Sequence, residues 1–171
     1  MKMQMKDHMV PFIKKSEIDE IIRGLAKQID TDYEGRELVL VCPLKGSILF
    51  AADLSRRLRT PAEIEFIQLT SYGQSIRVSN DISTDIRNKH ILIVEEIIDA
   101  GRKLIFLKNH LLNNGPASVK VVTLLDKPAR RELPIKANYI GKTIDDRYVV
   151  GYGMDSEEVG RNYSDIYILN N

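Results

Sequence analysis

The sequence predicts an α/β fold with a central, mostly parallel sheet flanked by helices. Short β-branched and leucine runs typical of buried strands alternate along the chain with segments whose apolar residues recur at helical spacing. A length of 171 residues is ample for one hydrophobic core, and no repeat or flexible linker interrupts the chain. We therefore expect a single domain over residues 1–171.

The composition excludes several classes of protein. Lys and Arg total 25 against 24 for Asp and Glu, so the net charge is +1, and no nucleic acid or membrane partner is expected. The N-terminus lacks the apolar stretch of a secretory signal. The single Cys42 fits a cytoplasmic location. Three scattered histidines offer no metal-ligand spacing, so carboxylates and substrate must hold any metal.

The first half of the chain reads as helix, strand, helix and strand. Ser16 followed by Asp19 resembles a capping box that opens a helix. The continuous apolar run at 38–42 is typical of a strand buried on both faces. Residues 46–58 then form an amphipathic pattern, and residues 62–69 alternate between polar and apolar.

The second half reads as loop, strand, helix and strand. Residues 70–89 are polar without clear periodicity, which predicts a loop of about twenty residues, a length usually functional or disordered. Residues 91–95 predict a buried strand. A helix starts near Gly101 and ends at 114–116, an Asn-Gly-Pro stop signal, before a strand at 119–125.

Parallel sheets bind ligands beyond the carboxyl ends of their strands, so the residues after each predicted strand are candidates for a site. After the strand ending at Val94 come Glu95, Glu96 and Asp99, then Gly101 and a helix start. Carboxylates can hold Mg²⁺ or accept hydrogen bonds from a diol, and the turn offers backbone N–H groups to an anion. That combination suits a phosphorylated sugar. The alternative is a set of surface acids with Asp99 capping the helix.

The segment VEEIIDAGRKL at 94–104 is similar to the signature of the type I phosphoribosyltransferases, which binds 5-phosphoribosyl-1-pyrophosphate (PRPP). The chain resembles the hypoxanthine-guanine members of that family from residue 13 to about residue 167. Further motifs follow the family's order: LKGS at 44–47, LTSYG at 69–73, TLLDKPARRE at 123–132, YVVGYGMD at 148–155, and Arg161. The resemblance implies a small hood region beside the sheet, Mg²⁺ as cofactor, PRPP and a 6-oxopurine as substrates, and a homodimer or homotetramer.

The resemblance implies roles for the residues that contact PRPP. Lys45 and Gly46 match the pyrophosphate-binding loop, where the family often has a non-proline cis peptide. Glu95 and Glu96 are expected to face the ribose hydroxyls and to help hold the metal, with Glu96 where the family usually has Asp. Asp155 is expected at the metal-pyrophosphate end of the site. Without the family, residues 44–46 could be an ordinary turn between strand and helix.

The resemblance also implies how the purine is held. Asp99 is expected to act as general base or acid near purine N7. Lys127 is expected to donate to the purine O6, which favours a 6-oxo group because lysine has donors and no acceptor. Tyr148 is expected to stack on the ring and Val149 to contact the base edge through its backbone. The alternatives are a solvated turn at Lys127 and a buried core position for Tyr148.

The remaining assignments concern closure and the leaving group. The resemblance implies that Ser71 and Tyr72 close over the site and exclude water. Arg161 is expected to pair with pyrophosphate, which suits a guanidinium. Without the family, the Ser-Tyr-Gly sequence at 71–73 would be merely a turn.

The phosphate loop departs from the family pattern. Where the family carries Thr or Ser, then Gly, any residue and Thr, this chain has Ala100, Gly101, Arg102 and Lys103. A hydrogen bond to a charged group contributes about 1.5–3 kcal/mol. The two missing hydroxyls could therefore lower the affinity for PRPP by roughly two to four orders of magnitude. The four residues still match the 5′-phosphate subsite. The segment between Tyr72 and the next strand is also shorter than usual.

The resemblance implies the transfer of a 5-phosphoribosyl group from PRPP to N9 of hypoxanthine or guanine, a reaction of purine salvage. The alternative is a catalytically impaired relative that binds PRPP or a nucleotide and acts as a sensor or regulator. An RNA-binding regulator of the same fold is disfavoured because the chain has no basic stripe.

Overall fold

The computed structural model describes residues 8–73 and 75–170, so most of the N-terminal stretch expected not to be a signal lies outside the described residues. Within those ranges, no helix has the length and apolar character needed to cross a membrane. The elements in chain order are β1 (Met9–Ile13), α1 (Lys15–Asp32), β2 (Leu38–Leu44), α2 (Ile48–Ser55), β3 (Ala62–Tyr72), β4 (Ser75–Asn80), β5 (His90–Ile98), α3 (Arg102–Leu112), β6 (Ser118–Asp126), β7 (Tyr139–Thr143), β8 (Val149–Val150) and β9 (Ile166–Leu169).

The larger sheet has six strands in the order β4-β3-β2-β5-β6-β7. Strands β3, β2, β5, β6 and β7 run parallel to their neighbours, while β4 pairs antiparallel with β3 at one edge. The predicted α/β class with a mostly parallel central sheet is therefore confirmed.

Alternate residues of β2 pack on opposite faces of this sheet, which explains its unbroken apolar sequence. Leu38, Leu40 and Cys42 belong to the buried cluster that includes α1 and α2. Val39 and Val41 belong to a second buried cluster that includes α3. The sheet therefore has a hydrophobic layer on each face.

A smaller antiparallel sheet, ordered β1-β9-β8, corresponds to the expected hood region. The backbone N–H of Lys15, at the start of α1, donates to Oδ1 of Asp165 at 2.7 Å and ties this sheet to the first helix. Ile13 and Ile166 are buried in the same cluster as α1. The hood thus shares the main hydrophobic core.

The start of α1 differs from the sequence-based interpretation. The helix begins at Lys15, its N-cap residue Lys14 makes no side-chain capping bond, and Ser16 lies inside the first turn. The side chain of Asp165 instead accepts from the N–H group of Lys15, the first residue of the helix. The predicted capping box is wrong, because a residue 150 positions away satisfies the orphan N–H group.

The predicted loop at 70–89 is partly a β-hairpin. Strand β3 continues to Tyr72, and β4 pairs with it so that Ser71 lies opposite Ile76. Most side chains of β4 are exposed, and its half-buried face consists of only Ile76 and Val78, which is a short signal for a strand. Beyond the hairpin, Glu65 accepts hydrogen bonds from both Ser83 and Thr84 and fastens the rest of the segment to β3.

Candidate active site

A cleft of about 680 Å³ lies beyond the carboxyl ends of β2, β3 and β5, the edge at which the sequence analysis expected a ligand. It is also bordered by the start of α3 and by the loop before β9. The structure brings most of the predicted site residues together here. Those that line the cleft are Lys45, Gly46, Ser71, Glu95, Glu96, Asp99, Ala100, Gly101, Arg102, Lys103, Asp155 and Arg161.

Tyr72 and Lys127 are not among the lining residues. Tyr72 lies at the end of β3 and is 62% exposed, with the Arg77 guanidinium 4.3 Å from the centre of its ring. Lys127 is only 6% exposed, which excludes a solvated turn. Its backbone N–H donates to the carbonyl of Ile98 at 3.0 Å, so Lys127 follows a strand end directly beside Asp99.

Tyr148 and Val149 also lie outside the lining of the cleft. Tyr148 is 51% exposed, which excludes the alternative of a core tyrosine. Its hydroxyl donates to the carbonyl of Asp155 at 3.2 Å, and Asp155 does line the cleft. Val149 is buried in β8, where it pairs with Ile168. Tyr148 therefore contacts the lining of the cleft through Asp155, and Val149 follows it in the chain.

Close backbone packing shapes the loop after β2. The Leu44–Lys45 peptide bond is cis, as the resemblance predicts. A Cβ atom added to Gly46 would overlap the carboxyl group of Glu96, and one added to Gly153 would overlap the carbonyl oxygen of Gly46. Only glycine fits at these two contacts, which hold the loop against β5 and against the segment after β8.

Two cations face the cleft and share an internal carboxylate. Nζ of Lys45 donates to Oε2 of Glu158 at 2.6 Å. Nη2 of Arg161 lies 2.8 Å from Oδ1 of Asp155 and 3.3 Å from Oε1 of Glu158. The buried Nε of Arg161 has no hydrogen-bond partner among the described residues. This end of the cleft therefore suits an anion with several oxygens.

Glu95 and Glu96 form an unusual pair of acids at the floor of the cleft. Burial raises the pKa of Glu95 well above its ordinary value, and the adjacent Glu96 charge adds to the effect. Burial likewise raises the pKa of Glu96 to about 7, opposed by Arg161 and Lys103. Carboxyl oxygens at these positions can accept hydrogen bonds from two neighbouring hydroxyls, and a bound cation would favour the charged form of both groups.

The acids do not form a preformed metal cage. Among the described residues, no group of three metal-ligating side chains is close enough to hold an ion alone. Glu95, Glu96 and Asp155 nevertheless offer hard oxygen donors along one cleft. This donor set fits Mg²⁺, which binds through few carboxylates and completes its shell with water and substrate oxygens.

The loop at the start of α3 leaves backbone N–H groups open to the cleft. Gly101 is the N-cap residue with φ 87°, and no side chain caps the helix, so the alternative role of Asp99 as a helix cap is excluded. The side chain of Arg102 forms an ion pair with Glu132, with Nη2 lying 2.5 Å from Oε2. Lys103 is exposed and has no ion-pair partner within the described ranges. An anion here would meet free amides and one free ammonium group.

The sequence analysis missed several residues that organise this site. Nε of Arg130 donates to Oδ1 of Asp99 at 3.1 Å, and Nη1 of Arg131 donates to the backbone oxygen of Asp99 at 2.5 Å. Glu158 joins the two cations at the other end. Both arginines lie within the quoted motif at 123–132, which was the one available signal for them.

Comparison with known proteins agrees with this geometry. A family model for the phosphoribosyl transferase domain matches residues 14–157. The hypoxanthine phosphoribosyltransferase of Haemophilus influenzae is 39% identical over 166 residues, covering 92% of this chain and 93% of that protein. The bifunctional protein TilS/HprT of Listeria monocytogenes is 39% identical over 163 residues, and this chain spans about a quarter (25%) of its length.

The fold is shared with solved structures as well. A hypoxanthine-guanine phosphoribosyltransferase from Bacillus anthracis, with a HEPES molecule in its active site, superposes with a TM-score of 0.92. It is 40% identical in sequence, and the match covers 94% of this chain and 98% of that one. Family model, relatives and architecture agree, so the chain belongs to the phosphoribosyltransferase family, among its hypoxanthine-guanine members.

Proposed function

We propose that the protein is a purine salvage enzyme that transfers the 5-phosphoribosyl group of PRPP to N9 of hypoxanthine or guanine, giving IMP or GMP and pyrophosphate. The observation that carries this proposal is the single cleft in which Lys45, Glu95, Asp99 and Arg161 meet. Relatives over nearly the full chain bear the names of this enzyme.

The cleft divides into three subsites for PRPP. The free amides at the start of α3, with Gly101 and Lys103, bind the 5′-phosphate. Glu95 and Glu96 hold the two ribose hydroxyls. Lys45 and Arg161, at the opposite end, bind the pyrophosphate group.

Mg²⁺ would be held by Glu95, Glu96 and Asp155 together with oxygens of PRPP and water. When bound, the ion neutralises part of the negative charge that builds on the leaving pyrophosphate. Lys45 and Arg161 add positive charge at the same end, so the chain itself also stabilises the leaving group.

At the reacting carbon, the bond from C1 to the pyrophosphate oxygen breaks while the bond from purine N9 to C1 forms. The transition state resembles an oxocarbenium ion, so the site must stabilise separating charges rather than supply a nucleophile. Asp99 lines the cleft with its carboxyl group half-exposed, where it can take the proton that the purine loses. Ser71 and Tyr72, at the end of β3, close over the site and exclude water.

The purine binds beside this centre. Lys127 donates to O6, which selects a 6-oxopurine because an ammonium group cannot accept a hydrogen bond from the amino group of adenine. Tyr148 has an exposed ring available for stacking, and Val149 meets the base edge through its backbone. We further propose that the chain is one domain, acts in the cytoplasm and assembles as a homodimer or homotetramer.

The test is an assay of purified protein with Mg²⁺, PRPP and each purine base in turn, with nucleotide formation as the readout. Asp99→Asn should lower turnover about a hundredfold or more, since general acid–base catalysis contributes about 10²–10⁴-fold. Asp85→Asn, at an exposed aspartate outside the cleft, should leave turnover unchanged. Binding of PRPP without nucleotide formation would favour the sensor or regulator alternative. Absence of both binding and turnover would exclude the proposed function.

A further inference from the structure

Two consecutive arginines hold the aspartate at the reacting centre. Arg130 reaches the Asp99 carboxyl group, its Nε donating to Oδ1 at 3.1 Å. Arg131 reaches the backbone of the same residue, its Nη1 donating to the carbonyl oxygen at 2.5 Å. The side chain and the main chain of Asp99 are therefore fixed by different residues of one segment.

The next residue of that segment continues along the loop. The backbone N–H of Glu132 donates to the carbonyl of Ala100 at 3.0 Å. Its carboxylate accepts a hydrogen bond from Nε of Arg102 at 2.5 Å. We name residues 130–132 the clamp segment. Its residues contact the 99–102 loop in the same order along both segments.

The clamp segment is itself anchored to the central sheet. Arg131 forms an ion pair with Asp126, the last residue of β6, and both side chains are largely buried, at 13% and 10% exposed. Lys127 lies between Asp126 and Arg131 in the sequence, and its backbone N–H donates to the carbonyl of Ile98 in β5. The clamp segment thus starts from the strand end that carries the proposed purine-binding lysine.

Arg130 has a second carboxylate partner. Its Nη1 lies 3.7 Å from Oδ2 of Asp146, which precedes Tyr148 by two residues. The side chains of Arg130, Asp99 and Asp146 are about half exposed, at 52%, 46% and 51%. Exposed ion pairs contribute little to folding stability, so replacing Arg130 should leave the fold intact.

We propose that Arg130 is a positioning residue for the reaction. It fixes the carboxyl group of Asp99, and it links the phosphate loop to the segment that contains Asp146 and the proposed purine-stacking residue Tyr148. The inference rests on the proposed function, because the value of orienting Asp99 depends on its role as the proton acceptor. Arg130 itself is not among the residues that line the cleft. Its effect is exerted through Asp99.

The kinetic test uses Arg130→Ala. We expect kcat to fall about tenfold, because an oriented charge-assisted hydrogen bond is lost at a partly solvated site, while KM for PRPP changes less than about twofold. Arg130→Lys should recover part of kcat, since lysine keeps the charge but cannot bridge Asp99 and Asp146 together. Combined with Asp99→Asn, the alanine change should have no further effect. Additive losses in the double variant would overturn the proposal.

A measurement independent of turnover separates this inference from the proposed function. Amide hydrogen exchange in the 99–102 loop should accelerate in Arg130→Ala. Arg87→Ala is the matched control, because Arg87 also pairs with an exposed carboxylate, that of Asp85, outside the cleft. An inactive wild type whose loop still loosens in Arg130→Ala would refute the enzyme and keep the clamp. Unchanged exchange together with unchanged kcat would refute the clamp.

Discussion

Oε2 of Glu158 accepts a hydrogen bond from Nζ of Lys45 at 2.6 Å, at the end of the cleft proposed for pyrophosphate. The other carboxylate oxygen lies 3.3 Å from Nη2 of Arg161. The pKa of Glu158 is held below its ordinary value, chiefly by the hydrogen bond from Lys45, so the group is charged near neutral pH. An internal anion therefore pairs with both cations that we propose bind pyrophosphate.

Replacing this internal anion should strengthen substrate binding. Glu158→Gln removes a competitor for two cations, and exposed ion pairs are weak, so pyrophosphate affinity should rise by about two- to tenfold. Calorimetric titration with pyrophosphate and Mg²⁺ measures this directly. Glu157→Gln is the matched control, because it changes the same charge on the same loop outside the cleft lining. Weaker binding in Glu158→Gln, or an equal gain in the control, would contradict the prediction.

The position of Glu158 marks the limit of sequence reasoning at this site. Lys45 and Glu95 could be predicted, because each follows an apolar run recognisable as a buried strand, and parallel strands end at one edge. Glu158 and Arg130 could not, since each lies on an irregular segment whose course is set by tertiary contacts. Charged residues of such segments carry no periodicity that reveals their partners.

The same reason explains the errors in the fold. The hairpin of β3 and β4 is held by backbone hydrogen bonds, and in β4 only Ile76 and Val78 are half-buried, so the alternation of burial extends over just two apolar residues. Strand β8 has two residues and β9 has four, too short for any periodic signal. The central strands could be predicted because they are buried. The edge and hood strands could not be predicted, since they are short or exposed.

A stabilising substitution is available in α1. Gly24 lies in the helix interior and is exposed, and a Cβ atom added there would meet nothing within 4 Å. Gly24→Ala should raise the free energy of unfolding by roughly 0.5–1 kcal/mol and the Tm by about 1–4 °C, with no change in turnover. Gly153→Ala should do the reverse, because its φ is 96° and the new Cβ would overlap the Gly46 carbonyl. Thermal unfolding of both variants checks the pair, and a stable Gly153→Ala would contradict it.

Asp30 should make stability depend on pH in the acid range. Burial alone would raise its pKa, but backbone N–H groups of Thr60 and Arg59, each donating at 2.9 Å, lower the pKa below the ordinary 3.8. A lowered folded-state pKa means that the stabilisation is present above the unfolded value and is lost as pH falls through the folded value. Asp30→Asn should therefore cost about 1–2 kcal/mol at pH 7 and progressively less below about pH 4.

Urea unfolding of wild type and Asp30→Asn across that pH range measures the difference. Glu34→Gln, at an exposed position just after α1, serves as the control for removal of one negative charge. A constant difference from pH 7 to the acid limit would mean that the ionised carboxylate is not the stabilising form.

The altered phosphate loop should make PRPP binding depend on salt. Ala100 and Lys103 stand where the family has hydroxyl residues. Lys103 is exposed and lines this part of the cleft, and among the described residues no carboxylate pairs with its charge. A long lysine side chain binds phosphate as a point charge, and such an interaction is screened as ionic strength rises. KM for PRPP should therefore increase with added KCl in the wild type.

Restoring the hydroxyls should exchange a screened charge for fixed hydrogen bonds. In the double variant Ala100→Thr and Lys103→Thr, KM for PRPP should fall about tenfold or more at high salt. Each new hydrogen bond to phosphate contributes about 1.5–3 kcal/mol, and the loss of the Lys103 ammonium group offsets part of this gain. Lys108→Thr, the same charge change on the same helix outside the cleft, is the control. A double variant with unchanged KM and unchanged salt dependence would show that the backbone amides of the loop alone hold the phosphate, with no part played by Lys103.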